Sequence, residues 1–227
     1  MNVRRHNGGF SLTEVLLALG TMAVGMVLAA GLFPAGVLFT NTAVERTIAV
    51  VAADEAFAKI RLYGIDLKNA DLKSTQSIEF EKVSLHPFFA DDKFYPSVTG
   101  ADTGTKQYYW YAICRRTSDS DVQVTVFVCR LPGSGVRPMP MPVKVGVSSP
   151  AGSLLSVDTP MAVKEGHVIV NDADGQIYRV VGRQDPQIEL DRVWEGANGN
   201  SNVWVVPPTL GGGRYPCIGV YQKVIRF

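Results

Sequence analysis

The feature that most constrains this chain is a long apolar segment near its amino terminus. Residues 15–39 contain 25 consecutive residues without Asp, Glu, Lys or Arg. At about 1.5 Å per residue, a helix of this length crosses a hydrocarbon core of about 30 Å. We therefore predict a membrane-spanning helix here, which leaves the later residues to form a body outside the membrane.

The basic residues around this segment predict its orientation. Arg4 and Arg5 precede it, and no Lys or Arg follows it until Arg46. Because positive charge is retained on the cytoplasmic side, we expect the amino terminus to face the cytoplasm and the body to lie outside it.

Two ordinary kinds of segment also fit this pattern. A cleavable signal peptide would use Ala29-Ala30-Gly31 as its small-residue cleavage site, and an uncleaved signal anchor would need no such site. Neither explains the pair Gly8-Gly9 before the apolar segment or the carboxylate of Glu14 at its edge.

A short motif leads into the apolar segment: Gly9-Phe10-Ser11-Leu12-Thr13-Glu14. Followed by an apolar helix, it resembles the processing and assembly motif of type IV prepilins and of the pseudopilins of type II secretion. The resemblance covers about 30 of the 227 residues. It implies that a prepilin peptidase cuts between Gly9 and Phe10 and methylates the new amine, so that Glu14 becomes the fifth mature residue.

Two positions depart from the family pattern. Thr13 stands where relatives often carry an apolar residue, and the proline of the family helix comes slightly later here, as Pro34. The cut site is unaffected. These departures favour a divergent or minor pilin-like subunit over a major pilin.

The resemblance implies roles in processing and assembly for four residues. Gly8, Gly9 and Phe10 form the processing site, where glycines leave the backbone accessible to a peptidase. Phe10 and Glu14 form the assembly contact, in which the new terminal amine of one subunit neutralises the Glu14 carboxylate of another. A local alternative is a capping box, in which Ser11 and Glu14 satisfy free amides of the first helical turn.

The function implied is that of a structural subunit of a type IV pilus or a type II secretion pseudopilus. Its partners would be prepilin peptidase, other pilin or pseudopilin subunits and the inner membrane. We expect a single-pass inner-membrane protein with its carboxy-terminal head in the periplasm or in an extracellular filament. The alternative is a pilin-like tip adhesin or DNA-uptake binding subunit on the same anchor.

The predicted fold class is α+β, with a long amino-terminal helix packed on an antiparallel, β-rich, pilin-like head. The predicted divisions are a leader (1–9), a transmembrane assembly helix (10–39), an amphipathic extension (40–64), the first part of the head (65–131), a Pro/Gly-rich connection (132–160) and a β-meander (161–227).

The extension is predicted to be helical because apolar residues recur at helical spacing. Ile48, Ala52, Ala56 and Ile60 lie four residues apart, and Ala49, Ala53 and Phe57 widen the stripe. Glu55 and Lys59 form an i,i+4 pair on the opposite side, and Gly64 is suited to end the helix.

The head is predicted to contain a hairpin followed by further short strands. Runs at 107–115 and 122–130 flank a turn-rich linker centred on Asp119, which places Cys114 opposite Val124 and Cys129 on the other face. A Cys114–Cys129 bridge would therefore need a shift of register. Residues 131–160 hold six prolines, so we expect irregular structure with at most short edge strands there. The later runs favour an antiparallel meander or small barrel.

No group of residues in the sequence has the pattern of a catalytic or cofactor-binding site. We therefore expect no enzymatic activity and no cofactor. The 22 basic and 21 acidic residues nearly cancel, and the three histidines are scattered. The run from Asn171 to Gly175 could suggest calcium, but a hairpin turn fits it better. Tyr108 to Tyr111 beside Arg115 could stack on single-stranded DNA, but core packing is the stronger interpretation, and there is no strong evidence for nucleic acid.

Overall fold

The computed structural model describes residues 11–96, 107–131, 139–196, 199–209 and 214–227. These residues have an α+β fold, with one long helix and antiparallel β-sheets. The chain divides into two compact units, Met1–Glu45 and Arg46–Phe227. The predicted fold class is confirmed in this coarse form.

The helix α1 spans Leu12–Tyr63, a length of 52 residues, and continues without interruption through Pro34. It ends where expected. Gly64 adopts a φ of 71°, and its amide donates a 3.0 Å hydrogen bond to the carbonyl oxygen of Ile60. A left-handed conformation of this kind is readily adopted by glycine, which is why helices often stop at one.

Eleven strands, a second short helix and two 3₁₀ turns follow α1 in the described residues. In chain order they are β1 Ile78–Glu79, α2 Phe80–Val83, a 3₁₀ turn Ala90–Lys93, β2 Phe94–Tyr95, β3 Tyr108–Arg116, β4 Asp121–Arg130, β5 Val143–Ala151, β6 Leu154–Val157, a 3₁₀ turn Pro160–Ala162, β7 Val168–Asn171, β8 Ile177–Gln184, β9 Gln187–Leu190, β10 Asn200–Val205 and β11 Cys217–Arg226.

The strands form two antiparallel structures. A five-stranded sheet has the order β1-β3-β4-β11, with β2 also paired to β3. A closed six-stranded barrel has the order β10-β5-β6-β9-β8-β7, and the pairing of β7 with β10 completes it. Closure leaves the barrel without free strand edges, which removes the sites at which sheets aggregate.

The carboxy-terminal part of α1 packs on the five-stranded sheet. The predicted stripe is buried except for Ile48 at its margin, which is half-buried. The buried members of the stripe are Ala49, Ala52, Ala53, Ala56, Phe57 and Ile60. They share a hydrophobic core with Trp110 and the inward-facing valines of β4. The small alanines allow the helix to approach the sheet closely, and Glu55 and Lys59 form the predicted ion pair at 2.8 Å.

The predicted hairpin and its register are confirmed. Strands β3 and β4 pair with Cys114 opposite Val124 and Arg116 opposite Val122. Since successive residues of a strand point to opposite faces, Cys114 belongs to the core beneath α1, whereas Cys129 belongs to a core on the other face. The Cys114–Cys129 bridge considered from the sequence is excluded by this arrangement.

The expectation of irregular structure at 131–160 is wrong for its second half. Strand β5 is nine residues long and pairs on both sides, with β10 and β6. Pro150 is tolerated because it lies within a shift of register between Ser148 and Ala151, where the regular hydrogen-bonding ladder is interrupted. Buried Val145 and Val147 contribute to the barrel interior.

The barrel is an insertion into the five-stranded sheet. Its strands β5 to β10 lie between β4 and β11 in sequence, yet β4 and β11 are hydrogen-bonded neighbours. The predicted meander at 161–227 is therefore divided: β7 to β10 join the barrel, and β11 returns to the sheet. A third apolar cluster, which includes Tyr109 and Phe127 of the sheet and Trp204 of the barrel, joins the two structures.

Candidate functional site

The amino-terminal part of α1 exposes apolar side chains around its whole circumference. Every Leu, Val, Met and Phe from Leu12 to Phe39 is at least 44% exposed. In the part of the chain that the structure describes, α1 is the one helix long and apolar enough to cross a membrane. A helix that is apolar on all sides needs lipid or other helices around it.

Glu14 supplies the acidic charge of the first turn of α1. Its amide donates a 2.9 Å hydrogen bond to the carbonyl oxygen of Ser11, while the Ser11 hydroxyl is 2.7 Å from the Thr13 hydroxyl. The reciprocal capping box suggested by the sequence is therefore not formed through Ser11. Within the described ranges the Glu14 carboxylate makes no ion pair, and its side chain is exposed.

The processing residues Gly8, Gly9 and Phe10 lie outside the described residues. Of the four residues assigned to processing and assembly, Glu14 alone lies within the described residues. It lies on the first turn of a helix whose next charged residue is Glu45.

The aromatic run of β3 is part of the core. Tyr108, Tyr109 and Trp110 are all at most 8% exposed, and Tyr111 is half-buried. The neighbouring Arg115 is held by the side chain of Gln123 and by backbone carbonyl oxygens. The core-packing interpretation is therefore confirmed, and these residues do not form a surface on which bases could stack.

The run from Asn171 to Gly175 forms the turn between β7 and β8. Gly175 has a φ of 74°, and the Asn171 and Asp174 side chains accept hydrogen bonds from amides two residues further on. Among the described residues, no three His, Cys, Asp or Glu side chains are grouped to hold a metal ion. The hairpin-turn interpretation is confirmed.

His167 is the one histidine found in the core of the described chain. Its ring stacks on that of Tyr215 with centroids 3.8 Å apart, and its Nδ1 accepts a 3.1 Å hydrogen bond from the Lys164 amide. Burial, with the positive charges of Lys164 and Arg183, lowers the pKa of His167 to about 4. The ring is therefore neutral at pH 7 and serves packing.

Asp172 forms a buried polar network that sequence reasoning missed. Its Oδ1 accepts hydrogen bonds from the Trp204 indole at 2.7 Å and from the Ser77 amide at 2.9 Å, and its Oδ2 lies 3.1 Å from the Lys144 ammonium. The Lys144 ammonium also lies 5.1 Å from the centroid of the Trp204 ring. The carboxylate thus joins the segment before β1 to strands β5 and β10.

An open cleft of about 560 Å³ lies beside this network. Its walls come from the segment around β1 and from β5 and β10, and the lining residues are Asp71, Gln76, Ser77, Ile78, Glu79, Lys82, Met141, Pro142, Val143, Lys144 and Trp204. Both of its lysines have acidic partners, Lys82 with Glu79 at 2.9 Å and Lys144 with Asp172. The cleft therefore has a mixed polar and apolar lining, contributed by both the sheet and the barrel.

Comparisons of the chain with profiles of known protein families, with curated proteins and with solved structures found no match.

Proposed function

We propose that this chain is a minor pilin-like structural subunit of a type IV pilus or a type II secretion pseudopilus. In this proposal prepilin peptidase cuts it after Gly9, and the mature chain assembles through its amino-terminal helix. The observation that carries the proposal is the exposed apolar part of α1, from Leu12 to Phe39, with one carboxylate, Glu14, in its first turn. The prepilin-like motif directly before that turn supports it.

The exposed apolar part of α1 must be covered by lipid or by other helices. A surface of large apolar side chains from Leu12 to Phe39 is far larger than soluble proteins leave in water. A bilayer covers it before assembly, and the helices of neighbouring subunits would cover it in a filament. Gly20, Gly25, Gly31 and Gly36 lie on the open surface of the helix, where an added Cβ would meet nothing within 4 Å. Because these residues have no side chains, neighbouring helices could approach closely there.

Glu14 gives such assembly a specific contact. An isolated carboxylate costs on the order of 2.5–3.5 kcal/mol at the centre of a membrane helix, so it favours a cationic partner. Cleavage after Gly9 would create one, the α-ammonium of Phe10, on an adjacent copy. Pairing the two charges would neutralise Glu14 and define the axial offset between neighbouring helices.

The alternative of a DNA-uptake subunit has less support than the sequence suggested, because the aromatic run of β3 is buried. The adhesin alternative would place a ligand site on the same anchored chain. It differs from our proposal in that substitution of surface residues of the head would abolish ligand binding while assembly through Glu14 is retained.

Mass analysis of the amino terminus of the membrane-extracted protein tests the processing step. We expect a mature chain that begins at N-methylated Phe10. A chain that begins near Leu32 would identify a cleaved signal peptide, and one that retains Met1 would identify an uncleaved anchor; either result would overturn the proposal.

The assembly step is tested by Glu14→Ala, with Glu55→Ala as the matched control on the same helix. Glu55 lies beyond the apolar segment, in a partly buried ion pair with Lys59 at 2.8 Å. We expect Glu14→Ala to reduce incorporation into sheared filaments at least about tenfold while Glu55→Ala incorporates normally. Equal incorporation of the two variants would eliminate the role of Glu14.

A further inference from the structure

Cys129 and Cys217 face each other across the β4–β11 pairing. The two residues are direct partners in the register, and they are 0% and 7% exposed. The amide of Arg130, which follows Cys129, donates a 2.8 Å hydrogen bond to the carbonyl oxygen of Pro216, which precedes Cys217. In an antiparallel ladder, this bond identifies the cysteines as a non-hydrogen-bonded pair, whose Cα atoms are about 4.5 Å apart.

That separation is compatible with a disulfide, in which Cα atoms are about 4.4–6.8 Å apart. Both side chains also point to the same face, because both belong to the apolar cluster between the sheet and the barrel. Burial raises the pKa of the Cys129 thiol, and a hydrogen bond with Cys217 raises it further. The register and the shared apolar cluster therefore place the two side chains next to each other.

The local backbone leaves this pair room to adjust. Cys217 is the first residue of β11, and a shift of register separates it from Gly219, the next paired residue. The pair is thus at the end of the ladder, beside a bulge, where the backbone is less constrained than in the middle of a strand.

We propose that Cys129 and Cys217 form a disulfide bond in the mature protein and that Cys114 remains a thiol. The proposal rests on the extracytoplasmic head of the proposed function, because disulfides persist in oxidising compartments. The two thiols would lose two protons and two electrons to form the S–S bond. A disulfide-bearing oxidant of that compartment would accept them by thiol–disulfide exchange and become a dithiol.

Cys114 is not placed to form a disulfide with Cys129 or with Cys217. It is fully buried in the core beneath α1, on the face of the sheet opposite to Cys129 and Cys217. It therefore provides an internal control for the pair.

The disulfide would link the two ends of the segment that forms the inserted barrel. All six barrel strands lie between Cys129 and Cys217 in the chain, so the S–S bond would join the points at which the chain leaves and re-enters the sheet. Closing so long a loop restricts the unfolded chain and stabilises the folded one. We expect this effect on the Arg46–Phe227 unit.

The test is thiol counting on the full-length protein from its own membrane. Cells are quenched with acid, and the protein is unfolded in N-ethylmaleimide with and without prior reduction. We expect one label without reduction, mapped to Cys114, and three labels after it. Without reduction, Cys114→Ser should take no label, and Cys129→Ser should take two because it frees Cys217.

The same intact mass reports the amino terminus, which separates this proposal from the proposed function. A chain that begins at Phe10 with three labelled thiols before reduction overturns the disulfide and leaves the function standing. A chain that begins at Met1 with one labelled thiol overturns processing and supports the disulfide. A bond that involves Cys114, or one between two chains, also overturns the pairing.

A stability measurement checks the consequence. Reduction should lower the midpoint of thermal unfolding of the detergent-solubilised parent by about 5–15 °C, given the usual effect of a disulfide on a protein of this size. The double variant Cys129→Ala/Cys217→Ala should not respond to reductant, whereas Cys114→Ala should respond as the parent does. A parent that is insensitive to reductant would contradict the proposal.

Discussion

The carboxylate of Asp172 accepts a 2.7 Å hydrogen bond from the indole Nε1 of Trp204. The two residues are 32 positions apart in the chain, and both are at most 6% exposed. The same carboxylate also accepts a hydrogen bond from the Ser77 amide and forms an ion pair with the Lys144 ammonium. One buried charge therefore connects the turn after β7 to three other segments.

We predict that Asp172→Ala destabilises the protein by about 2–5 kcal/mol. The substitution leaves the Trp204 indole and the Ser77 amide without their acceptor and the Lys144 ammonium without its counter-charge, and buried donors that lose their partners are costly. The measurement is urea unfolding of the detergent-solubilised full chain, followed by tryptophan fluorescence.

Two variants separate this network from general effects of losing an aspartate. Asp172→Asn keeps an acceptor for Trp204 and should cost less than Asp172→Ala. Asp119→Ala removes an exposed carboxylate that pairs with Arg116 at 3.3 Å in the hairpin loop, and it should change the free energy of unfolding by less than about 0.5 kcal/mol. If the Asp172 and Asp119 variants lose the same stability, the network has no special role.

The contact between α1 and the sheet predicts a sharp difference between two neighbouring alanines. Ala56 is 0% exposed against the sheet, whereas Ala58 is exposed. Ala56→Leu should cost about 1–3 kcal/mol because no space exists for the added atoms. Ala58→Leu should be nearly neutral. Thermal unfolding followed by circular dichroism measures both, and equal midpoints would show that α1 does not pack as described.

Two glycines in left-handed conformations should also differ. Gly152 has a φ of +60° and no atom within 4 Å of an added Cβ, whereas Gly175 has a φ of +74° and the Gln123 Oε1 2.7 Å from that position. Gln123 cannot move away freely, since Arg115 Nε donates a 3.0 Å hydrogen bond to this oxygen.

Substitution by alanine should therefore cost more at Gly175. Gly152→Ala should lose about 1–2 kcal/mol, from the backbone conformation alone. Gly175→Ala should lose that amount and a further contribution from the displaced Gln123. The difference in urea midpoint between the two variants measures the second contribution, and a lower midpoint for Gly152→Ala would contradict the geometry of the β7–β8 turn.

His167 predicts that stability falls in mild acid. Its folded-state pKa of about 4 lies below its usual value of 6.5, so the unfolded chain binds the proton more readily. The contribution of neutral His167 to the free energy of unfolding is therefore fully present above pH 6.5, and it decreases as the pH falls towards 4. Between pH 7 and pH 5 we expect the folded state to lose about 2 kcal/mol from this residue.

The variant His167→Asn isolates this contribution. The Oδ1 of the new asparagine can accept the hydrogen bond that the Lys164 amide donates to the histidine Nδ1 in the parent. The asparagine side chain does not titrate between pH 5 and pH 7. Urea unfolding at pH 7 and pH 5 should show a smaller pH-dependent loss for the variant than for the parent. An identical pH dependence of the two proteins would assign the loss to other groups.

The elements that the sequence predicted correctly depend on neighbours close in the chain. The stripe from Ala49 to Ile60 follows from helical spacing, and the placement of Cys114 opposite Val124 follows from a short turn. In each case a few adjacent residues determine the geometry, so the pattern is visible in the sequence.

The features that the sequence did not predict depend on distant partners. Nothing near β11 indicates that it returns to β4 past six intervening strands. Asp172 has the local pattern of a turn residue, and its buried role depends on Ser77, 95 positions away. The prolines of 131–160 indicated loops, but a shift of register accommodates Pro150 within β5.

The insertion of the barrel between two adjacent strands makes it a separable module. Because β4 ends beside the start of β11, a tight turn could replace everything between them and leave the helix–sheet scaffold connected in the same order. A foreign module of another size could be spliced in at the same point. The sheet face left bare, which includes Tyr109 and Phe127, would need polar replacements or a new cover.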